Sequence, residues 1–139
     1  MAGRYLLDTN VISETRKTRP DSGVMTFLAS ADSAALFLSV LTLGELRKDV
    51  KARRKTDPAA ADLLGAWAKT IETTFADRLL GVDGATARLW GELSSARSLP
   101  VIDTLIAATA IRHGIALVTR NTRDFESTGT ELVDPWQTR

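Results

Sequence analysis

Ile102-Asp103-Thr104-Leu105-Ile106-Ala107-Ala108-Thr109-Ala110-Ile111-Arg112-His113-Gly114-Ile115-Ala116-Leu117-Val118-Thr119, residues 102–119, holds a helix, its stop and a buried strand in direct succession. Asp103 to His113 reads as a helix. Gly114 is a natural stop, because glycine takes the left-handed C-terminal conformation without steric cost. Ile115-Ala116-Leu117-Val118-Thr119 is a short apolar run of strand length. Outward from this unit the same alternation recurs. Tyr5-Leu6-Leu7 reads as a short buried strand. Asp21-Ser22 caps a helix through Val24, Phe27 and Leu28. Ala34-Ala35-Leu36-Phe37-Leu38 reads as a second strand, followed by Leu41, Leu43, Leu46 and Val50 at helical spacing. Asp57-Pro58 starts a helix carrying Leu63, Leu64, Trp67, Ile71 and Phe75. Leu79-Leu80-Gly81-Val82 is a further short strand, Asp83 caps a helix with Ala87, Trp90 and Leu93, and Glu131-Leu132-Val133 is a last edge strand. Strands alternating with helices predict an α/β fold with a mainly parallel central sheet.

Composition narrows the chemistry. The 139 residues are 44% hydrophobic and 25% charged, which suits one globular domain spanning 1–139 rather than a disordered chain. The net charge is only +1, so any nucleic-acid surface must be local. There are no cysteines, which removes disulfides, thiolate metal sites and a thiol nucleophile together. No apolar stretch reaches bilayer length and the N-terminus has no long uncharged core, so a soluble cytoplasmic protein is expected. The serines have no visible His-Asp arrangement, which disfavours nucleophilic hydrolysis.

Four acids fall where acids are costly. Asp8 ends the first apolar run, Glu45 sits within Leu43-Gly44-Glu45-Leu46, Asp103 opens the helix quoted above, and Asp124 closes Thr119-Arg120-Asn121-Thr122-Arg123-Asp124. In an open parallel sheet, ligands gather at the carboxyl ends of strands and the adjoining helix starts. Asp8, Asp103 and the segment 121–124 lie at such places, and Glu45 reaches them from the helix after the second strand. Two carboxylates roughly 5 Å apart repel by about 3 kcal/mol at an effective dielectric of 20. Four together protonate or separate unless a cation joins them, and Mg²⁺ or Mn²⁺ suits an all-oxygen site. Each acid also has a plain structural use: Asp8 and Asp103 as helix caps, Asp124 in a turn, with Glu45 the hardest to explain that way.

The ordered set Leu7-Asp8-Thr9-Asn10-Val11-Ile12-Ser13-Glu14, Leu43-Gly44-Glu45-Leu46, Ile102-Asp103-Thr104-Leu105-Ile106-Ala107-Ala108 and Val118-Thr119-Arg120-Asn121-Thr122-Arg123-Asp124-Phe125 resembles the PIN-domain family, and within it the VapC-type toxins of bacterial toxin–antitoxin pairs. Val133-Asp134-Pro135-Trp136 resembles the ending of some members. The resemblance covers nearly the whole chain in order and spacing. It implies a three-layer α/β/α sandwich and a Mg²⁺- or Mn²⁺-dependent endoribonuclease. A metal-activated water would attack the phosphodiester and leave a 5′-phosphate and a 3′-hydroxyl. Asp8 and Asp103 match the family's principal metal-binding acids and Glu45 its third. The fourth acid often falls where this chain has Asn121, so Asn121 or Asp124 completes the site and the number of metals stays open. Thr9, Asn10 and Thr119 match polar positions that orient the acids. The resemblance also implies an RNA substrate, a small antitoxin partner and a homodimer or dimer of dimers.

Arg47, Lys48, Lys51, Arg53, Arg54 and Lys55 follow Glu45 and read either as a phosphate-contacting surface or as a solvated helix end. Arg120 and Arg123 are further candidates for RNA contact, or for pairing with the acids. Trp67 and Trp90 read as core, Trp136 as a cover for the core or a subunit contact, and His113 as a helix-end residue. Two rivals remain: a PIN nuclease of RNA maturation or of DNA, and a catalytically weak RNA- or protein-binding module marked by Asn121. A phosphoryl-transfer enzyme with Asp8 as nucleophile lacks its Asp-x-Asp pattern, since Asn10 stands two residues on.

Overall fold

The computed structural model describes residues 3–137. Five strands, β1 (Tyr5–Leu7), β2 (Leu36–Ser39), β3 (Leu79–Leu80), β4 (Ala116–Val118) and β5 (Leu132–Val133), form a sheet in the order β3-β2-β1-β4-β5. All four pairings are parallel. The helices are α1 (Thr9–Glu14), α2 (Ser22–Ser30), α3 (Val40–Arg54), α4 (Pro58–Thr74), α5 (Gly84–Ser94), α6 (Val101–His113) and α7 (Thr122–Phe125). Among the described residues no helix is long and apolar enough to cross a membrane.

The side-chain alternation of the strands builds the layers. Leu7, Leu36, Leu38 and Val118 face one side of the sheet, where they pack with Val11, Ile12, Val24 and Phe75. Leu6 and Leu117 face the other side, with Ile106, Ala107, Ala110 and Phe125. Each face is thus covered by helices, giving the expected three-layer α/β/α sandwich. A sheet buried on both faces needs continuous apolar strands, and that is why these strands show no polar alternation.

Local signals set the element ends. Asp21, Asp57 and Asp83 each accept a backbone N–H from the first turn of the helix that follows. Gly114 ends α6 at φ 64°, the left-handed cap read from the sequence. Four expectations are corrected. Ala34 and Ala35 belong to a 3₁₀ turn, Ser33–Ala35, because the Asp32 carboxylate accepts the Ala34 N–H and starts that turn; β2 begins only at Leu36. The strand at residue 79 is just two residues long, leaving Gly81 and Val82 outside it, and α6 begins at Val101, ahead of Asp103. Trp67 and Trp90 are half-buried rather than core. Trp136 packs against the first core cluster, with the Arg120 guanidinium 5.1 Å from its ring centroid.

Glu14 is the acid that the core tolerates for structural reasons. It is 5% exposed, accepts the Asp21 N–H at 2.9 Å and pairs with Lys17 Nζ at 2.8 Å. The Lys17 hydrogen bond, and then the Asp21 backbone bond, hold its carboxyl below the usual range. It therefore ties the end of α1 to the start of α2. Glu14→Ala orphans the Asp21 N–H and is expected to lower stability by about 2 kcal/mol in urea unfolding. A loss under about 0.5 kcal/mol would show that the tie contributes nothing.

Candidate active site at the carboxyl ends of β1 and β4

The chain runs from β1 outward to β2 and β3 and then returns to the opposite side of β1 as β4. The sheet therefore has its topological switch point between β1 and β4, where open α/β sheets form crevices. Leu7 is paired with Val118, so the residues just past the strands, Asp8 and Thr119, stand side by side. The Asp8 N–H closes the ladder on Val118 O at 2.9 Å.

Asp8 is 6% exposed and heavily engaged. Its Oδ1 accepts the Thr9 N–H at 2.8 Å, which makes it the N-cap of α1. Its Oδ2 accepts the Thr119 hydroxyl at 2.9 Å and, more weakly, Asn10 Nδ2 at 3.4 Å. Capping thus occupies one oxygen of Asp8, while the other is held by Thr119 and Asn10. Thr119 Oγ1 also accepts from Asn10 Nδ2 at 3.3 Å and from the Asn121 N–H at 3.1 Å. Asn10 Oδ1 in turn accepts the Arg120 N–H at 3.3 Å. These bonds fix the loop after β4 against the start of α1.

Glu45 enters from α3. Its Oε1 accepts the Thr9 hydroxyl, and Thr9 Oγ1 also lies 3.0 Å from Thr42 Oγ1. The sequence signal for Thr42 is its place one helical turn before Glu45, on the same side, and the structure buries it there. Asp103 comes from the first turn of α6. It does not cap that helix, whose N-cap is Pro100, and among the described residues its carboxylate has no hydrogen-bond partner.

Electrostatics shows that the acids share one space. Burial pushes the Asp8 carboxyl up to about 6, against the lowering pull of Thr119 and Thr9, with Asp103 and Glu45 adding to the rise. Asp103 is raised by burial, then by Glu45 and Asp124, even though a first-turn position favours negative charge. Asp124 and Asn121 are both exposed at the rim, in and before α7. The structure therefore brings Asp8, Glu45 and Asp103 together, with Asp124 at the edge.

The donor set is all oxygen and rich in negative charge, which fits a hard divalent cation. Among the described residues no three acids close into a ready-made cage.

The basic candidates separate. Lys48 lines a slot together with Glu45, whereas Arg47 reaches toward Gly65 of α4. Arg123 is exposed beside Asp124, and Arg54 is paired with Asp62 at 2.9 Å. A second cleft of about 400 Å³, lined by Arg16, Asp49, Arg53 and Trp67 among others, opens on a different face of α3.

Known proteins bear on this site. The sequence model of the PIN domain matches residues 5–131. The chain is 33% identical over 144 residues to VapC ribonuclease Y4jK of Sinorhizobium fredii, covering 95% of this chain and 97% of that protein. It is 32% identical over 136 residues to toxin FitB of Neisseria gonorrhoeae, covering 94% and 97% respectively. The crystal structure of FitAcB from Neisseria gonorrhoeae matches with a TM-score of 0.88 at 30% identity, over 96% of this chain and 99% of that one.

Proposed function

The chain belongs to the PIN-domain family, and on that premise we propose that it is the toxin of a toxin–antitoxin pair, an endoribonuclease that hydrolyses RNA with a divalent cation held by Asp8, Glu45 and Asp103. The observation that carries this reading is the buried Asp8 carboxyl, pushed up to about 6 with Asp103 and Glu45 beside it. Buried acids with raised pKa values and acidic neighbours cluster at functional sites.

When bound, Mg²⁺ or Mn²⁺ supplies Lewis-acid stabilisation of the phosphoryl oxygens and acidifies water. The residues of the chain position that chemistry. Thr119 and the Thr9 N–H fix both oxygens of Asp8, and the Thr9 hydroxyl fixes Glu45. Asp103 brings a carboxylate with no hydrogen-bond partner among the described residues. Asn121 adds no charge at the rim, so Asp124 is the fourth acid. Water adds to phosphorus and the O3′ oxygen leaves, taking up a proton, so the products carry a 5′-phosphate and a 3′-hydroxyl.

A free nuclease of this kind would harm its own cell, and the relation to toxin FitB supports a small antitoxin partner. The proposal includes a cytoplasmic setting, one domain over 1–139, and assembly as a homodimer or dimer of dimers. RNA shape, with unpaired loops, is what so small a nuclease has room to read.

The test is cleavage of total bacterial RNA by the full chain, free of any partner, with Mg²⁺, with Mn²⁺ and with chelator. Discrete cuts are expected with either metal and none with chelator. Tight RNA binding without turnover in either metal would replace the nuclease by a binding module.

A further inference from the structure

Beside the acids lies a slot of about 350 Å³, lined by Val40, Leu41, Gly44, Glu45 and Lys48 of α3 and by Ile102 of α6. The α3 residues fall at spacings of one, three and four, so they form one face of the helix. The walls are mainly aliphatic, and Val40 is 39% exposed. Glu45 belongs to both the slot and the acidic cluster, so the two adjoin at that residue. Lys48 adds a positive charge one turn further along.

Gly44 is the informative residue. It sits inside a fifteen-residue helix, where glycine is a poor choice. Neither packing nor backbone conformation explains it: a Cβ placed there meets nothing within 4 Å, and its φ is not positive. What the missing side chain leaves is the open floor of the slot.

We propose that this slot receives one unpaired nucleobase of the RNA strand, next to the phosphate presented to Asp8, Glu45 and Asp103. The proposal rests on the nuclease reading of those acids. A base has flat apolar faces that match Leu41 and Ile102, and its attached phosphate matches Lys48. A paired base, stacked in a helix, cannot enter, so the slot selects single-stranded or splayed-out nucleotides. It holds no aromatic ring, so the base is gripped by aliphatic side chains and its identity is read weakly.

Gly44→Leu fills the slot and exchanges a poor helix former for a good one, so its urea midpoint is expected to equal or exceed the original. Two measurements use a short single-stranded RNA and versions with one abasic residue at each successive position. The first is binding in chelator, and the second is cleavage in Mg²⁺. The original protein should lose about tenfold in affinity and in cleavage rate at one abasic position beside the cut, by the scale of burying one base face against aliphatic side chains. Gly44→Leu should bind the intact RNA about as weakly as the original binds that abasic strand, and should ignore the lesion. Equal sensitivity in both proteins, or no sensitive position, overturns the slot while cleavage itself still stands. Abasic-sensitive binding without cleavage in either metal overturns the nuclease and keeps the slot. Absence of RNA binding removes both.

Discussion

Asp103→Asn is expected to reduce RNA cleavage by about 10³-fold or more, measured as a single-turnover rate at saturating Mg²⁺. The exchange keeps the shape of the side chain and removes only its charge. Nothing structural goes with it: Asp103 caps no helix, and among the described residues its carboxylate makes no hydrogen bond. Its raised pKa means that the surroundings already disfavour the ionised form. The metal-free variant should therefore be at least as stable as the original. Loss of activity with retained or increased stability separates a chemical role from a folding role. A rate within threefold of the original would remove Asp103 from the machinery.

The metal-free protein is expected to lose stability as pH rises, the reverse of ordinary acid denaturation. The Asp8 carboxyl moves from an ordinary 3.8 to about 6 in the folded chain. Between those values the folded state binds the proton and the unfolded state does not. Unfolding then releases a proton, and stability falls with increasing pH by about 3 kcal/mol across this window. Asp103 is raised too and acts in the same direction, whereas Glu14 is lowered and acts oppositely, its contribution being lost as pH falls below the usual carboxylate range. Urea unfolding in chelator from pH 4 to pH 7 checks the slope. Asp8→Asn should flatten it, and Mg²⁺ added above pH 6 should restore stability by binding only the folded state. The same slope in Asp8→Asn would place its origin elsewhere.

What could be read in the chain follows from how local each signal is. Gly114 and the apolar run after it mark α6 and β4 because a left-handed stop and a doubly buried strand are written in consecutive residues. The Asp57-Pro58 start is equally local. The start of β2 was misread because Asp32 redirects Ala34 and Ala35 into a turn, and a capping bond outweighs an apolar run of that length. Trp67 and Trp90 lie on apolar stripes, but α4 and α5 sit in outer layers and cover only part of each ring. The acids could be read as an ordered set, since Asp8, Glu45 and Asp103 each sit in or beside an apolar run and Asp124 lies shortly past another. Their mutual geometry could not, because Asp8 meets Thr119 only through the register of two strands more than a hundred residues apart. The slot depends on the approach of α3 to α6 and has no signature in either segment alone.

That separation along the chain has a consequence during synthesis. Asp8 is translated 111 residues before Thr119, whose hydroxyl fixes it and which lies just past β4, the strand that closes the crevice. At about 5–20 residues per second, the ribosome holds an incomplete nascent chain for roughly 5–20 s before that strand exists. Throughout that interval the acids have no shared crevice to occupy. A chain proposed to cut RNA thus has no assembled crevice on the RNA-built machine that makes it until Thr119 has been added.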